Sequence, residues 1–102
     1  MTNPMTAGLA PTHPGELLRE VVIPAVRESK TEIAAILGMS RQHLHAILTC
    51  RKSITIPMAL RLGKMFGGSA ESWLRMQLAY ELRIEEAAMA DELARIPELK
   101  AA

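Results

Sequence analysis

The stretch from Ser29 to Leu48, SKTEIAAILGMSRQHLHAIL, reads as two short helices joined by a tight turn. Ser29 followed by Glu32 is a capping-box pattern: the hydroxyl can accept from a first-turn amide while the carboxylate reaches back to the Ser29 N–H. Ile33, Ile36 and Leu37 recur at i, i+3 and i+4, which predicts one inward face, and Ala34 lets a neighbouring helix come close. Gly38 marks the stop, because the left-handed residue that closes a helix is least strained as glycine. Ser40 can then cap a second helix whose inward positions are Leu44, Ile47 and Leu48. A short turn with glycine near its start sets two helices at a steep angle. That frees the N-terminal end of the second helix, the end that can enter a DNA major groove.

At about 100° per residue, Leu44, Ile47 and Leu48 fall on one side of this helix, and Arg41, Gln42, His45, Ala46 and Thr49 on the other. Arginine can pair bidentately with guanine, glutamine with adenine, and a small apolar side chain can touch a thymine methyl. Ser40 and the amides at the helix start can hold a phosphate. Arg51 and Lys52 follow at once in a loop from which they can reach the DNA backbone. The candidate DNA-binding set is therefore Ser40, Arg41, Gln42, His43, His45, Ala46, Thr49, Arg51 and Lys52. An ordinary amphipathic helix with a polar outer face would account for the wheel alone. It does not account for the cap, the glycine turn, the basic loop and the charge asymmetry occurring together.

That asymmetry is hidden in a net charge of +1. Residues 30–68 carry six basic side chains (Lys30, Arg41, Arg51, Lys52, Arg61, Lys64) against the single acid Glu32. Residues 69–102 carry four basic and seven acidic groups, a balance of −3. One half suits a polyanion and the other repels it.

The 102 residues suffice for one domain and one core. Phe66, Trp73 and Tyr80 are the only aromatic side chains, so aliphatic residues and seven methionines must fill that core. Helix formers dominate, and no alternating β-branched run or Asn-Gly hairpin signal occurs, so the class is all-α with five to six helices. No apolar run approaches the roughly 20 residues that span a bilayer. The start of the chain lacks a basic segment followed by an apolar one, so no membrane partner and a cytoplasmic location are expected.

Working outward, residues 1–12 contain two prolines and no apolar period, and read as a flexible arm. A first helix is expected from Pro14, with Leu17, Leu18, Val21 and Val22 facing inward, until Pro24 ends or kinks it. Residues 51–56 read as a loop. Thr55 or Ile56 before Pro57 opens a fourth helix to about Phe66, its inward set Leu60, Leu62 or Gly63, and Met65 or Phe66. Gly67-Gly68 breaks the chain and Ser69 caps a longer fifth helix; a short last helix is expected near Asp91, ending before Pro97. The organisation is thus an arm, a helix-turn-helix domain over residues 13–88 with a dimerisation helix at 69–88, and a short helix and tail at 89–102.

The fifth helix carries two apolar stripes, Trp73-Met76-Tyr80-Ile84 and Leu74-Leu78-Leu82, roughly 160° apart. A monomeric surface helix needs one. Leu74, Leu78 and Leu82 are therefore the expected homodimer interface, with the final short helix as the other possible cover. Paired DNA half-sites also call for two-fold symmetry.

Enzymatic chemistry finds no support. His43 and His45 diverge on a helix and cannot share a metal. There is no HExxH, no phosphate-cradling glycine loop and no partner arrangement for the single cysteine, Cys50. No catalytic residue, metal or cofactor is expected. His13 reads as part of the first helix's N-terminus.

Four segments carry a family resemblance: His13-Pro14-Gly15-Glu16; Ile33-Ala34 through Gly38-Met39-Ser40-Arg41-Gln42; Ile54-Thr55-Ile56-Pro57-Met58-Ala59-Leu60-Arg61-Leu62; and Ser69-Ala70-Glu71-Ser72-Trp73-Leu74. In order and spacing, residues 13–82 resemble the HigA-type antitoxins, helix-turn-helix proteins related to phage repressors. The resemblance implies a phage-repressor-like domain with an extended C-terminal helix. It also implies an antitoxin that neutralises a co-expressed, ribosome-dependent mRNA-cleaving toxin and represses the shared operon through double-stranded operator DNA. Where the family has Asn-Gly after the recognition helix, this chain has Thr49-Cys50, which predicts a differently built turn there. Two other readings stay open: a stand-alone helix-turn-helix regulator, and a helical protein-interaction module.

Overall fold

The computed structural model describes residues 11–101, and its regular elements there are all helical. Six α-helices follow in order: α1 (Pro14–Leu17), α2 (Lys30–Leu37), α3 (Arg41–Leu48), α4 (Ile56–Phe66), α5 (Ala70–Ala88) and α6 (Ala90–Ala94). The expected arm at residues 1–12 lies almost wholly outside the described residues.

The expected first helix is not one regular helix. After α1 the chain widens into a π turn at Leu18–Val22 and tightens into a 3-10 turn at Ile23–Ala25. Pro24 explains the break: it has no N–H to give to the preceding turn and its ring crowds the carbonyl there. The Ile23 N–H donates instead to the Leu18 carbonyl, one residue further back than in an α-helix. The wider turn leaves Leu18 buried, Val22 half-buried and Val21 exposed, against the inward position expected for Val21.

The predicted caps form. Ser29 and Glu32 make the reciprocal capping box, with hydrogen bonds of 3.1 and 3.0 Å. Ser40, Thr55 and Ser69 cap α3, α4 and α5. Gly38 sits at φ 73° and closes α2, its N–H donating to Ala35 and that of Met39 to Ala34.

Leu18, Ile33, Leu37, Leu44, Ile47, Leu48 and Leu62 form the centre of the core, completed by Ile54, Met58, Ala59 and Trp73. Two more inward assignments fail. Ile36 and Leu60 are 64% and 60% exposed. On α2 the buried arc is centred on Ile33, Ala34 and Leu37, and Ile36 lies about 105° from its centre. On α4 Met58, Ala59 and Leu62 share the buried arc, and Leu60 points about 150° away from its centre.

α5 packs on α4 through its first half and then leaves the domain. Of the residues from 81 to 101, Met89 alone is even half-buried. The molecule is accordingly elongated, 57 Å along one axis against 31 and 25 Å along the others.

Candidate nucleic-acid interface

The structure presents α3 by its start. Ser40 is exposed and its Oγ accepts the His43 N–H at 3.0 Å. Behind α3, Leu44, Ile47 and Leu48 are locked into the core, and the Arg19 guanidinium donates to the Leu48 carbonyl at 2.7 Å. The helix is thus held from the rear while its polar face is open.

On that face Arg41, Gln42, His45 and Arg51 line one shallow concavity of about 350 Å³. Arg51 is drawn there by Thr49, whose hydroxyl accepts from Arg51 Nε at 3.0 Å and donates to the His45 carbonyl at 2.8 Å. Ala46 is half-buried beside them. Lys30, at the start of α2, lines an adjoining hollow with Arg41 and His45, so the basic surface extends across the turn. His43 lies elsewhere. It is half-buried on the opposite flank, in a hollow shared with Gly38, Ser53, Thr55 and Arg61, and the structure does not bring it to Arg41 and Gln42. Lys52 is exposed and outside the concavity.

The turn after α3 resolves the departure at Thr49-Cys50. Cys50 itself takes the left-handed conformation, at φ 64°. The Arg51 and Lys52 amides both donate to the Ala46 carbonyl, at 2.9 and 3.1 Å. These amides are spent inside the turn, which leaves the loop its side chains for outside contacts.

Sequence reasoning missed three side chains that support this loop. Gln77 is buried at 4% exposure, with its Oε1 accepting the Ile54 N–H at 3.0 Å and its Nε2 donating to Glu81 at 3.2 Å. The Ser53 hydroxyl donates to Glu81 at 2.5 Å. His13 is buried beside the loop: its Nδ1 accepts the Gly15 N–H at 2.8 Å, its ring faces the Lys52 backbone, and Tyr80 stacks edge-on at 4.9 Å. Burial pushes the His13 pKa down, opposed by Glu81, the Lys52 backbone and Glu16. The available signal was a glutamine one turn after Trp73 on the face that packs inward.

Among the described residues no group of three or more His, Cys, Asp or Glu side chains is placed to hold a metal ion, and no helix is long and apolar enough to cross a membrane.

No protein-family model matches the chain. Virulence-associated protein I of Dichelobacter nodosus is 42% identical over 74 residues, 72% of this chain and 68% of that protein. The solved structure of antitoxin GraA in complex with its operator superposes with a TM-score of 0.82 at 33% identity, covering 99% of each chain. The Pseudomonas aeruginosa antitoxin HigA with the higBA promoter gives a TM-score of 0.80 at 32% identity, over 88% of this chain and 99% of that one. The open recognition-type helix, the fold around it and these likenesses place the chain in the HigA-type antitoxin family of helix-turn-helix proteins.

Proposed function

We propose that this protein is an antitoxin that binds operator DNA as a dimer, represses its own operon and neutralises an mRNA-cleaving toxin. The observation that carries the DNA-binding part is the convergence of Arg41, Gln42, His45 and Arg51 on one concavity at the exposed face of α3. Side chains that pair with guanine and adenine edges stand next to a basic loop that suits phosphates. The related structures with operator and promoter DNA support the same reading. Ser40, Ala46, Thr49 and Lys52 complete the interface, and His43 serves its outer flank beside Arg61.

The two-fold contact is assigned to α5. Leu78 and Leu82 are 56% and 49% exposed, while Leu74 turns partly onto its own core. α6 leaves them open, its own Leu93 being exposed as well. Residues 13–88 then act as one DNA-binding and dimerising unit, in the cytoplasm where its operator is.

Two assays test the proposal together. Titration of the protein onto its own upstream DNA, over a salt series and against a scrambled duplex, should give tight, salt-dependent and selective binding. Co-expression with the neighbouring reading frame should relieve growth arrest caused by that frame alone. Selective binding without relief would leave a stand-alone regulator, and neither result would leave an interaction module.

A further inference from the structure

We propose that Gln77 and Glu81 of α5 are positioning residues for DNA binding, which hold the loop carrying Arg51 and Lys52 in its phosphate-contacting shape. The proposal rests on the reading of that loop as a backbone contact.

Two consecutive loop residues, Ser53 and Ile54, are each tied to a side chain from outside the two helices of the helix-turn-helix. The Lys52 backbone just before them faces the buried His13 ring. Ser53 gives its hydroxyl to Glu81 at 2.5 Å, and Ile54 gives its N–H to Gln77 at 3.0 Å. Gln77 and Glu81 are themselves joined, Nε2 to Oε1, at 3.2 Å, so they act as a unit one helical turn apart. The Ile54 side chain is buried, and its amide has Gln77 as its partner.

The loop needs such tethers because its own secondary structure is minimal. Upstream, the Arg51 and Lys52 amides converge on the Ala46 carbonyl; the next regular element starts only at Ile56. A backbone free over those residues would have to be ordered when Arg51 and Lys52 meet DNA, at an entropic cost that subtracts from the contact. A loop fixed beforehand by α5 avoids that cost. Leu78 lies next to Gln77 and Leu82 next to Glu81 on the same helix, so the proposed two-fold face and the loop tether share one rigid element.

The test uses the full chain with Gln77→Met, Glu81→Leu, Glu81→Gln and Ser53→Ala, titrated by fluorescence anisotropy on its own upstream duplex and on a scrambled one over a sodium chloride series. Gln77→Met and Glu81→Leu should weaken both duplexes alike, on the order of tenfold, and lower the slope of log affinity against log salt by about one to two. Glu81→Gln should retain the parent slope, because its amide oxygen still accepts from Ser53. Amide exchange at Ile54 should rise in Gln77→Met. A purely structural role would lower the melting temperature and leave the salt slope untouched, and that result overturns the proposal. If Gln77→Met does not fold, Glu81→Leu and Ser53→Ala decide, since both positions are exposed. Neutralising Arg51 and Lys52 together separates the two levels. An unchanged slope there sinks the phosphate reading itself, whereas a lowered slope with parent-like α5 variants sinks only the positioning role.

Discussion

A side-chain carbon placed on Gly15 would lie 1.8 Å from the carbonyl oxygen of Ile47, so the first turn of the domain rests directly on the backbone of α3. Leu18 is buried close by, and Arg19 reaches the Leu48 carbonyl from the same side. Even a methyl group must force the two helices apart. Gly15→Ala should cost about 1–3 kcal/mol, the usual range for overpacking a close contact. Urea titration followed by circular dichroism measures it, and a variant as stable as the parent would show that α1 can shift off α3 freely.

Cys50 is the one non-glycine residue in the described chain with positive φ, at 64°. An L side chain in that region is strained by about 1–2 kcal/mol, and glycine returns about 0.5–1 kcal/mol of that through its freer unfolded state. Cys50→Gly should therefore stabilise by about 0.5 kcal/mol, and Cys50→Val should destabilise, because β-branching worsens the strain. The same urea titration decides it. A less stable glycine variant would mean that the thiol makes a contact worth more than the strain.

His13 gives the fold an acid-sensitive point. Burial holds its pKa below the ordinary 6.5, and the neutral ring is the form that can accept the Gly15 N–H on Nδ1. The unfolded chain thus takes up the proton at a higher pH than the folded one, so this contribution is complete above about 6.5 and is lost as pH falls through the folded value. Melting temperatures from pH 8 to 5 should drop on the acid side, more steeply for the parent than for His13→Asn, which keeps a capping acceptor without the titration. Parallel curves would remove His13 as the cause.

If Leu78 and Leu82 form the proposed two-fold contact, the exposed leucines of α5 separate folding from assembly. Leu78 is more than half exposed, so Leu78→Glu should leave the helical content and the melting of a single chain intact. Across a two-fold axis the new carboxylates would meet, and an unpaired buried carboxylate costs several kcal/mol. Light scattering should then report a folded monomer with weak half-site binding, the linked second contact having been lost. A variant that stays dimeric places the interface elsewhere.

The parts of this fold legible in the sequence are those decided locally. Ser29, Gly38, Ser40 and Ser69 each act within a few residues of themselves, so capping and turn chemistry located α2, α3 and the start of α5. The exposed set Arg41, Gln42 and His45 followed from the wheel of one regular helix. What failed depends on partners distant in sequence. Ile36 and Leu60 are apolar residues at the edge of an inward face, and the roll of each helix against its neighbour decides their exposure. Val21 was lost to a π turn whose register the apolar spacing does not reveal. Gln77 interrupts an apolar stripe, and only the Ile54 amide, 23 residues away, explains why a carboxamide belongs there.

Arg41 reading a base is the contact on which selective DNA binding turns. It is exposed one residue after the Ser40 cap, beside Gln42 and His45. Affinities of the parent and Arg41→Ala, measured at one salt concentration on operator and scrambled DNA, isolate that role. A base-reading Arg41 gives a loss of about 1–3 kcal/mol on the operator, little loss on scrambled DNA, and relaxed preference at one position per half-site. An equal loss on both duplexes would reduce Arg41 to a phosphate contact and α3 to a helix that touches DNA without reading it.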